Sequence, residues 1–230
     1  MSETPAATRT VERALMLLVA VADHGGTLTE LAREAALSPS TASRLLATLV
    51  QHGFVHRDSS GRYAGGTRLR QLAAATLGDD PLYELSAPHL EALAAITGET
   101  AHLAVAADAD RVLYLRGVAS PQLVGTAVWT GRTIPRLGTA LGAVLDGRLG
   151  PGGYLALAGT VEPEVISIAA PIQGPGGEIV AAINLLAPSY RTSQGRVASY
   201  GQSVARHARE LSRSLGNGDA GEDEQQERAA

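Results

Sequence analysis

The side chains best suited to recognition chemistry lie on one short segment, and they favour hydrogen bonding over bond making. At helical spacing this segment presents small hydroxyls and one long cation: Ser40, Thr41, Ser43, Arg44 and Thr48. Small groups allow a helix to approach the major groove, hydroxyls reach phosphates or base edges, and an arginine can form two hydrogen bonds with guanine. This face therefore predicts contact with duplex DNA.

Two helices joined by a tight turn are predicted to position that face. Thr27 and Glu30 match a capping box at the start of the first helix. Ser38 offers a second N-cap, whose hydroxyl is also a candidate DNA contact, and Pro39 follows in the first helical turn, which tolerates proline. Apolar residues at i, i+3, i+4 and i+7 are expected to face inward: Ala42, Leu45, Leu46 and Leu49. The second helix, at about 39–52, is the predicted recognition helix.

A short β-hairpin is predicted to follow as a wing. Gly53 ends the recognition helix, and two extended segments flank a turn at 58–61. Four polar residues of this hairpin are candidate contacts with the DNA: Arg57, Ser59, Ser60 and Arg62. The order of cap, turn, second cap and hairpin predicts a winged helix-turn-helix domain over 8–66. The alternative is a small helical bundle whose arginines are only solvated.

A further helix is predicted at 10–22, before this unit. Its expected apolar stripe consists of Val11, Leu15, Leu18 and Ala22. Arg9 and Arg13 near its start either meet DNA phosphates or are only solvated. The first 78 residues carry eight Arg against six acidic residues, a mildly basic balance that suits nucleic-acid binding.

Composition narrows the class of protein. The chain has 230 residues, a net charge of −4 and no Cys, which excludes disulfides and thiolate metal sites. The polar N-terminus and the lack of an apolar run of about 20 residues predict a cytoplasmic protein that does not enter a membrane. The six His form no HExxH-type zinc-binding motif. We therefore predict no metal site, no cofactor and no catalytic residue.

The rest of the chain is predicted to form a linker helix at 67–80 and an α+β domain at 81–216. Within that domain, helices are expected at 82–96, 138–145 and 191–215, and strands at 100–107, 112–118, 123–129, 154–157, 165–172 and 178–186. The first of these helices carries Leu85, Leu90, Leu93 and Ile96 as its apolar positions, and Pro88 either kinks or restarts it. Residues 217–230 carry one Arg against five acidic residues and are predicted to be a disordered acidic tail.

The order of these elements resembles the IclR family of bacterial transcriptional regulators over about residues 8–216. Besides the winged helix-turn-helix, the resemblance is carried by segments 93–103, 139–142 (Thr-Ala-Leu-Gly), 153–154 (Gly-Tyr), 162–163 (Glu-Pro) and 168–171 (Ile-Ala-Ala-Pro), together with Pro135. It implies an effector-binding domain with a GAF-like antiparallel sheet flanked by helices. It also implies a homodimer or tetramer that binds a palindromic double-stranded DNA operator and responds to a small metabolite.

The resemblance places the effector site by position at eight residues: Trp129, Gly131, Leu137, Gly138, Thr139, Ala140, Ser167 and Asn184. This chain departs from the family there, because the segment before Gly153 is short and Leu137 stands where the family often has His. The predicted pocket is thus poorer in polar groups, and we expect a more apolar effector, a weak one or none. The other reading is that Thr139 and Ser167 satisfy local backbone groups and that Trp129 belongs to the core.

Two rival functions remain open. The first is an enzyme, but the sequence shows no GxSxG nucleophile elbow, no HExxH-type pair of His and no thiol nucleophile. His102, on a strand expected to be buried, is better explained as a core residue than as a base. The second rival is a DNA-binding regulator whose C-terminal domain has lost its effector and serves only oligomerisation. The hypothesis favoured by the sequence is an effector-controlled, sequence-specific DNA-binding regulator.

Overall fold

A computed structural model describes residues 8–216, and the chain divides between Asp79 and Asp80 into two compact units. The first unit contains four helices and a two-stranded ribbon: α1 (Arg9–Asp23), α2 (Leu28–Glu34), α3 (Pro39–Gln51), β1 (Val55–Arg57), β2 (Tyr63–Gly65) and α4 (Thr67–Gly78). It thus includes the helix that we assigned to a separate linker. The acidic tail predicted at 217–230 lies outside the described residues.

Local capping chemistry sets the two central helices of this unit. The Thr27 hydroxyl accepts a hydrogen bond from the Glu30 amide at 3.4 Å, and the Glu30 carboxylate accepts one from the Thr27 amide at 2.7 Å, so the capping box is confirmed. Ser38 caps α3 and Pro39 opens it, as predicted. The paired strands β1 and β2 then form the wing. The first unit is a winged helix-turn-helix.

The apolar stripe predicted for α1 was largely wrong. The helix packs into the core through Leu17, Ala20 and Val21, whereas Val11 and Leu15 are each 55% exposed. The cause is that α1 is apolar on two sides, so its periodicity does not say which side meets α2 and α3. The predicted inward face of α3 is confirmed for Ala42 and Leu46, which are fully buried, whereas Leu45 and Leu49 are half-buried.

The second unit is built on one six-stranded antiparallel sheet in the order β5-β4-β3-β8-β7-β6. Its elements are α5 (Pro81–Thr97), β3 (Thr100–Ala106), β4 (Arg111–Val118), β5 (Thr133–Pro135), α6 (Ala140–Leu145), β6 (Leu155–Ala158), β7 (Val165–Gln173), β8 (Ile179–Pro188) and α7 (Gln194–Ser214). Helices α5 and α7 pack on one face, around Leu93, Leu103 and Leu211, and α6 packs on the other. The α+β class is confirmed. No helix within 8–216 is long and apolar enough to span a bilayer.

Two details of this unit differ from the sequence prediction. Residues 123–129 are not a strand but a loop, with Leu123 fully exposed, and the strand that pairs with the outer edge of β4 is β5. Strand propensity did not decide this segment, because pairing to β4 is a tertiary contact. Helix α5 runs continuously through Pro88, and it buries Leu90 and Leu93 but not Ile96.

Candidate DNA-binding surface and ligand cavity

The exposed face of α3 carries the predicted recognition residues in part. Ser40, Arg44 and Thr48 are exposed and lie one helical turn apart, whereas Thr41 and Ser43 are half-buried. Sequence reasoning missed two exposed residues of the same face, Ala47 and Gln51, which helical periodicity could have found. The face is thus narrower than predicted and centred on Arg44.

The hydroxyls at the start of α3 are engaged in capping. The Ser38 hydroxyl accepts a hydrogen bond from the Thr41 amide at 3.3 Å and donates to the Thr41 hydroxyl at 2.9 Å. The Thr48 hydroxyl donates to the Arg44 carbonyl at 3.2 Å. The contacts between Ser38 and Thr41 therefore hold the N-terminus of the helix in place, and all three hydroxyls keep acceptor capacity for a phosphate-bound water or a base donor.

The three arginines of the recognition helix and the wing have different surroundings. Arg57 donates to the Gly61 carbonyl at 3.2 Å and lies over the Tyr63 ring, and Arg62 approaches Glu30 at 3.6 Å. Within residues 8–216, the Arg44 guanidinium has no hydrogen-bond or ion-pair partner. Arg44 therefore presents all of its side-chain donors to a ligand.

The tip of the wing is held by Asp58. Its carboxylate accepts from the Ser60 hydroxyl at 2.6 Å and from the amides of Ser60 and Arg62, each at 2.9 Å. The Ser60 hydroxyl, followed by the Arg62 amide, lowers the pKa of Asp58. Ser59 is exposed at the tip, while the Ser60 hydroxyl is already used internally.

The two predicted DNA contacts on α1 differ in exposure. Arg9 is exposed and Arg13 is half-buried.

The second unit contains a cavity of about 320 Å³ on the face of the sheet that carries α6. Two loops and several strand ends line it: residues 124–127, residues 160–162 and 164–165, and Tyr114, Trp129, Ile134, Thr139, Ser167, Leu186, Pro188 and Tyr190. Three of the eight predicted effector residues are among them, namely Trp129, Thr139 and Ser167. A volume near the lower end of the range of ligand sites suits a small molecule.

The other five predicted effector residues do not line this cavity. Gly131 and Gly138 are exposed, and Leu137 is 86% exposed. Ala140, at the start of α6, is buried in the core between this helix and the sheet. Asn184 lies behind Ser167 and donates to its hydroxyl at 2.8 Å. Sequence reasoning missed the loop at 124–127, which was assigned to a strand, and the two glutamates of the loop at 160–165.

The Thr-Ala-Leu-Gly segment positions Thr139 at the start of α6. The Thr139 hydroxyl accepts from the Gly142 amide at 3.1 Å and donates toward the Pro135 and Arg136 carbonyls, each at 3.1 Å. At Gly142 a Cβ atom would lie 1.7 Å from the Arg136 carbonyl oxygen, so only glycine fits this close approach. Thr139 thus has a structural role as well as a position on the cavity wall.

Buried polar groups lie beneath the cavity floor. His102 is fully buried, accepts a hydrogen bond from the Trp129 amide at 3.1 Å through Nε2, and packs against the Tyr114 ring. Burial lowers the pKa of His102 to about 4 and raises that of Tyr114. Within residues 8–216, His102 Nδ1 and Asn184 Oδ1 have no hydrogen-bond partner. His102 is therefore a neutral core residue that supports the loop at Trp129.

The buried His102 predicts a stability that depends on pH. The pKa of His102 is about 4 in the folded chain, against an ordinary value of 6.5 that applies to the unfolded chain. The stability that comes from burying the neutral ring is therefore fully present above pH 6.5 and is lost as the pH falls toward 4. At pH 5 the loss is expected to be about 2 kcal/mol, because the unfolded chain binds the proton and the folded chain does not. The free energy of unfolding, measured with urea, should fall less between pH 7.5 and pH 5 for His102→Gln than for the wild type. An equal difference in both would contradict this, and His52→Gln, at an exposed position, is the control.

Models of two protein-family domains match this chain. The IclR helix-turn-helix domain matches residues 10–59, and the bacterial transcriptional regulator IclR C-terminal domain matches residues 74–147. Together these matches cover more than half of the chain. The HTH-type transcriptional regulator BhcR of Paracoccus denitrificans is 28% identical over 242 residues, which covers 89% of this chain and 86% of that protein.

Solved structures share the fold. An IclR transcriptional regulator from Alicyclobacillus acidocaldarius matches with a TM-score of 0.75 at 23% identity, over 91% of this chain and 99% of that one. An IclR homologue from Microbacterium hydrocarbonoxydans, complexed with 4-hydroxybenzoate, matches with a TM-score of 0.73 at 22% identity, over 90% and 98% of the two chains.

Proposed function

Because this chain belongs to the IclR family of bacterial transcriptional regulators, we propose that α3 reads an operator in the major groove and that a small-molecule effector binds the cavity of the second unit. The observation that carries the first half is the exposed face of α3, whose guanidinium at Arg44 has no partner within residues 8–216. Regulators of this kind act on the chromosome. We accordingly propose a cytoplasmic location and no catalytic role.

The proposal is tested by a gel shift on the DNA beside the gene for this protein, with and without excess nonspecific duplex. A shift that survives the competitor supports sequence-specific binding and supplies the operator. A shift that the competitor removes contradicts specific reading by the protein as purified, and repeating it with candidate effectors then tests whether an effector is required. Sequence-independent binding is identified by its steep salt dependence.

Arg44→Ala is expected to weaken operator binding by about 1–3 kcal/mol and to relax the preference at one base pair, because an arginine that grips guanine reads that base. The measurement is the affinity for the operator and for a set of single-base variants. Arg132→Ala is the matched control, since Arg132 is also exposed but lies in the second unit. An equal loss on every sequence would show that Arg44 contacts only a phosphate.

The lining of the cavity favours an uncharged or largely apolar effector. Apolar side chains such as Trp129, Ile134 and Leu186 form much of the wall, and none of its described lining residues is Lys or Arg. The charged residues of the lining are Glu162 and Glu164, which repel a carboxylate. Although the Microbacterium homologue was solved with 4-hydroxybenzoate, a neutral relative of that compound fits this lining better.

Thermal unfolding with a panel of phenols, aromatic alcohols and aromatic acids tests the effector. A ligand at 100 times its dissociation constant stabilises the fold by about 2.7 kcal/mol. Ala127→Phe would fill the cavity from an exposed position that makes no side-chain hydrogen bond, and it should abolish the response. A response to the acids alone would contradict the charge argument. No response at all would favour the alternative in which this domain serves only oligomerisation.

We further propose that the protein is a homodimer, or a tetramer built from dimers. One recognition helix contacts only a half-site, and a two-fold dimer doubles the contact on a palindromic operator. The exposed apolar side of α1, which we define as Val11, Leu15, Met16 and Val19, is a surface that a second copy could cover. Effector binding would then act by favouring one arrangement of the paired reading helices.

A further inference from the structure

A cluster of metal-binding side chains lies away from both proposed sites. His89 of α5 and His207 of α7 are 118 residues apart in sequence, yet their Nδ1 atoms are 3.1 Å apart. Glu210, one helical turn after His207, places Oε2 3.8 Å from His89 Nδ1 and 3.6 Å from His207 Nδ1. Helices α5 and α7 cover the face of the sheet opposite α6, so the cluster is separate from the cavity.

We propose that His89, His207 and Glu210 bind one divalent transition-metal ion of the zinc class. Two imidazole nitrogens and one carboxylate oxygen are a ligand set that Zn²⁺ accepts, with water completing four-coordination. The related ions Co²⁺ and Ni²⁺ suit the same donors. This inference does not depend on the proposed DNA-binding function.

The geometry of the three donor atoms carries the proposal. The circumradius of a triangle with sides of 3.1, 3.6 and 3.8 Å is about 2.0 Å, which is the length of a zinc–nitrogen or zinc–oxygen bond in proteins. An ion at the centre, or slightly above it, would therefore lie at bonding distance from all three atoms. The metal would join α5 to α7.

Hydrogen bonding alone accounts for only part of this arrangement. One ring can donate to the other across 3.1 Å, but Glu210 lies beyond hydrogen-bond distance from both nitrogens. His207 is buried, and its other ring nitrogen has no partner within residues 8–216, so every polar contact of this ring is made inside the cluster. Glu210 is about two-fifths exposed (43%), which leaves a path for an ion.

The test uses the full chain without an affinity tag, freed of metal by a chelator. Calorimetric titration with Zn²⁺ should give one ion per chain, and Co²⁺ should produce the visible absorption of a four-coordinate site. His89→Gln and His207→Gln should each weaken binding by roughly tenfold or more, since even the loss of an outer-shell partner costs about 10–100-fold in affinity. Zn²⁺ should also raise the unfolding temperature of the wild type but not of these variants.

A matched control and a second variant keep the test decisive. His24→Gln removes a ring from the exposed His24–Glu34 pair, whose atoms are 2.9 Å apart, and it should leave Zn²⁺ binding unchanged. If a histidine variant fails to fold, Glu210→Gln at its partly exposed position should still weaken binding. Absence of binding in the wild type overturns the proposal. Equal binding by the wild type and all three cluster variants also overturns it and assigns the ion to surface histidines.

Discussion

Arg191→Met is expected to lower the free energy of unfolding of the second unit by about 3–5 kcal/mol, because it leaves a buried carboxylate without its partner. Glu99 is only 2% exposed. Arg191 contacts both oxygens of this carboxylate, with Nε at 2.9 Å from Oε1 and Nη2 at 2.6 Å from Oε2. Glu99 also raises the pKa of Arg191 through these hydrogen bonds.

The same arginine ties the cavity wall to the sheet. Its Nη1 donates to the Val124 carbonyl at 2.6 Å, and Val124 belongs to the loop that lines the cavity. Removing Arg191 should therefore weaken binding of the proposed effector as well as stability. Replacing both partners, as Glu99→Gln with Arg191→Met, should recover part of the loss, since a buried neutral amide costs less than an unpaired carboxylate.

Urea unfolding followed by tryptophan fluorescence measures this effect in the relevant unit. Trp129 is the only tryptophan of the chain and lies on the cavity wall, so its emission reports the second unit even if the two units unfold separately. Arg148→Met is the control. Its partner Asp146 is at 3.0 Å, both side chains are well exposed, and such pairs contribute at most about 1 kcal/mol. A loss below that value for Arg191→Met would contradict the role given to the buried pair.

The parts of the fold that follow from short-range signals could be predicted, and the two helices that carry the proposed DNA-binding face are among them. The capping box at Thr27 and Glu30 and the cap at Ser38 each involve residues within four positions of one another, so the sequence contains the whole interaction. The Asp58 turn is similarly local. Whether each exposed side chain contacts a base or a phosphate of the DNA stays a prediction.

The parts that depend on distant pairing could be predicted only partly. The cavity wall at 124–127 was taken for a strand, because nothing local indicates that β4 pairs with β5 instead. Thr139 and Ser167 reach the cavity, whereas Asn184 lies one layer deeper, where the direction of a strand side chain depends on register. The cluster of His89 and His207 could not be found by spacing at all, since it is formed by packing between two helices.

The most severe functional loss is expected for Leu15→Glu, which places a charge at the centre of the exposed apolar side of α1. Val11, Leu15, Met16 and Val19 are between 45% and 58% exposed, and they share one side of the helix. Because about half of each side chain is still exposed, covering it would contribute about half of the roughly 1.5–3 kcal/mol that full burial gives. A two-fold related copy can cover this side with its own α1, whereas a glutamate there would face its equivalent across the axis.

Loss of the dimer should reduce operator affinity by about 10²–10⁴-fold, because the second half-site would no longer be bound as an intramolecular event. Light scattering should show a monomer for this variant at concentrations where the proposed dimer or tetramer is observed for the wild type. The fold of the first unit should be retained, because Leu15 is not part of the buried core formed by Leu17, Ala20 and Val21. Circular dichroism checks this directly.

Two controls separate the loss of an interface from a general effect of charge. Leu149→Glu makes the same change at a residue that is 45% exposed in the second unit, and it should leave operator binding by the dimer unchanged. Leu15→Met keeps an apolar side chain of similar size and should behave as the wild type. If Leu15→Glu remains dimeric and binds the operator normally, a second copy does not cover α1. The proposed dimer would then need another surface.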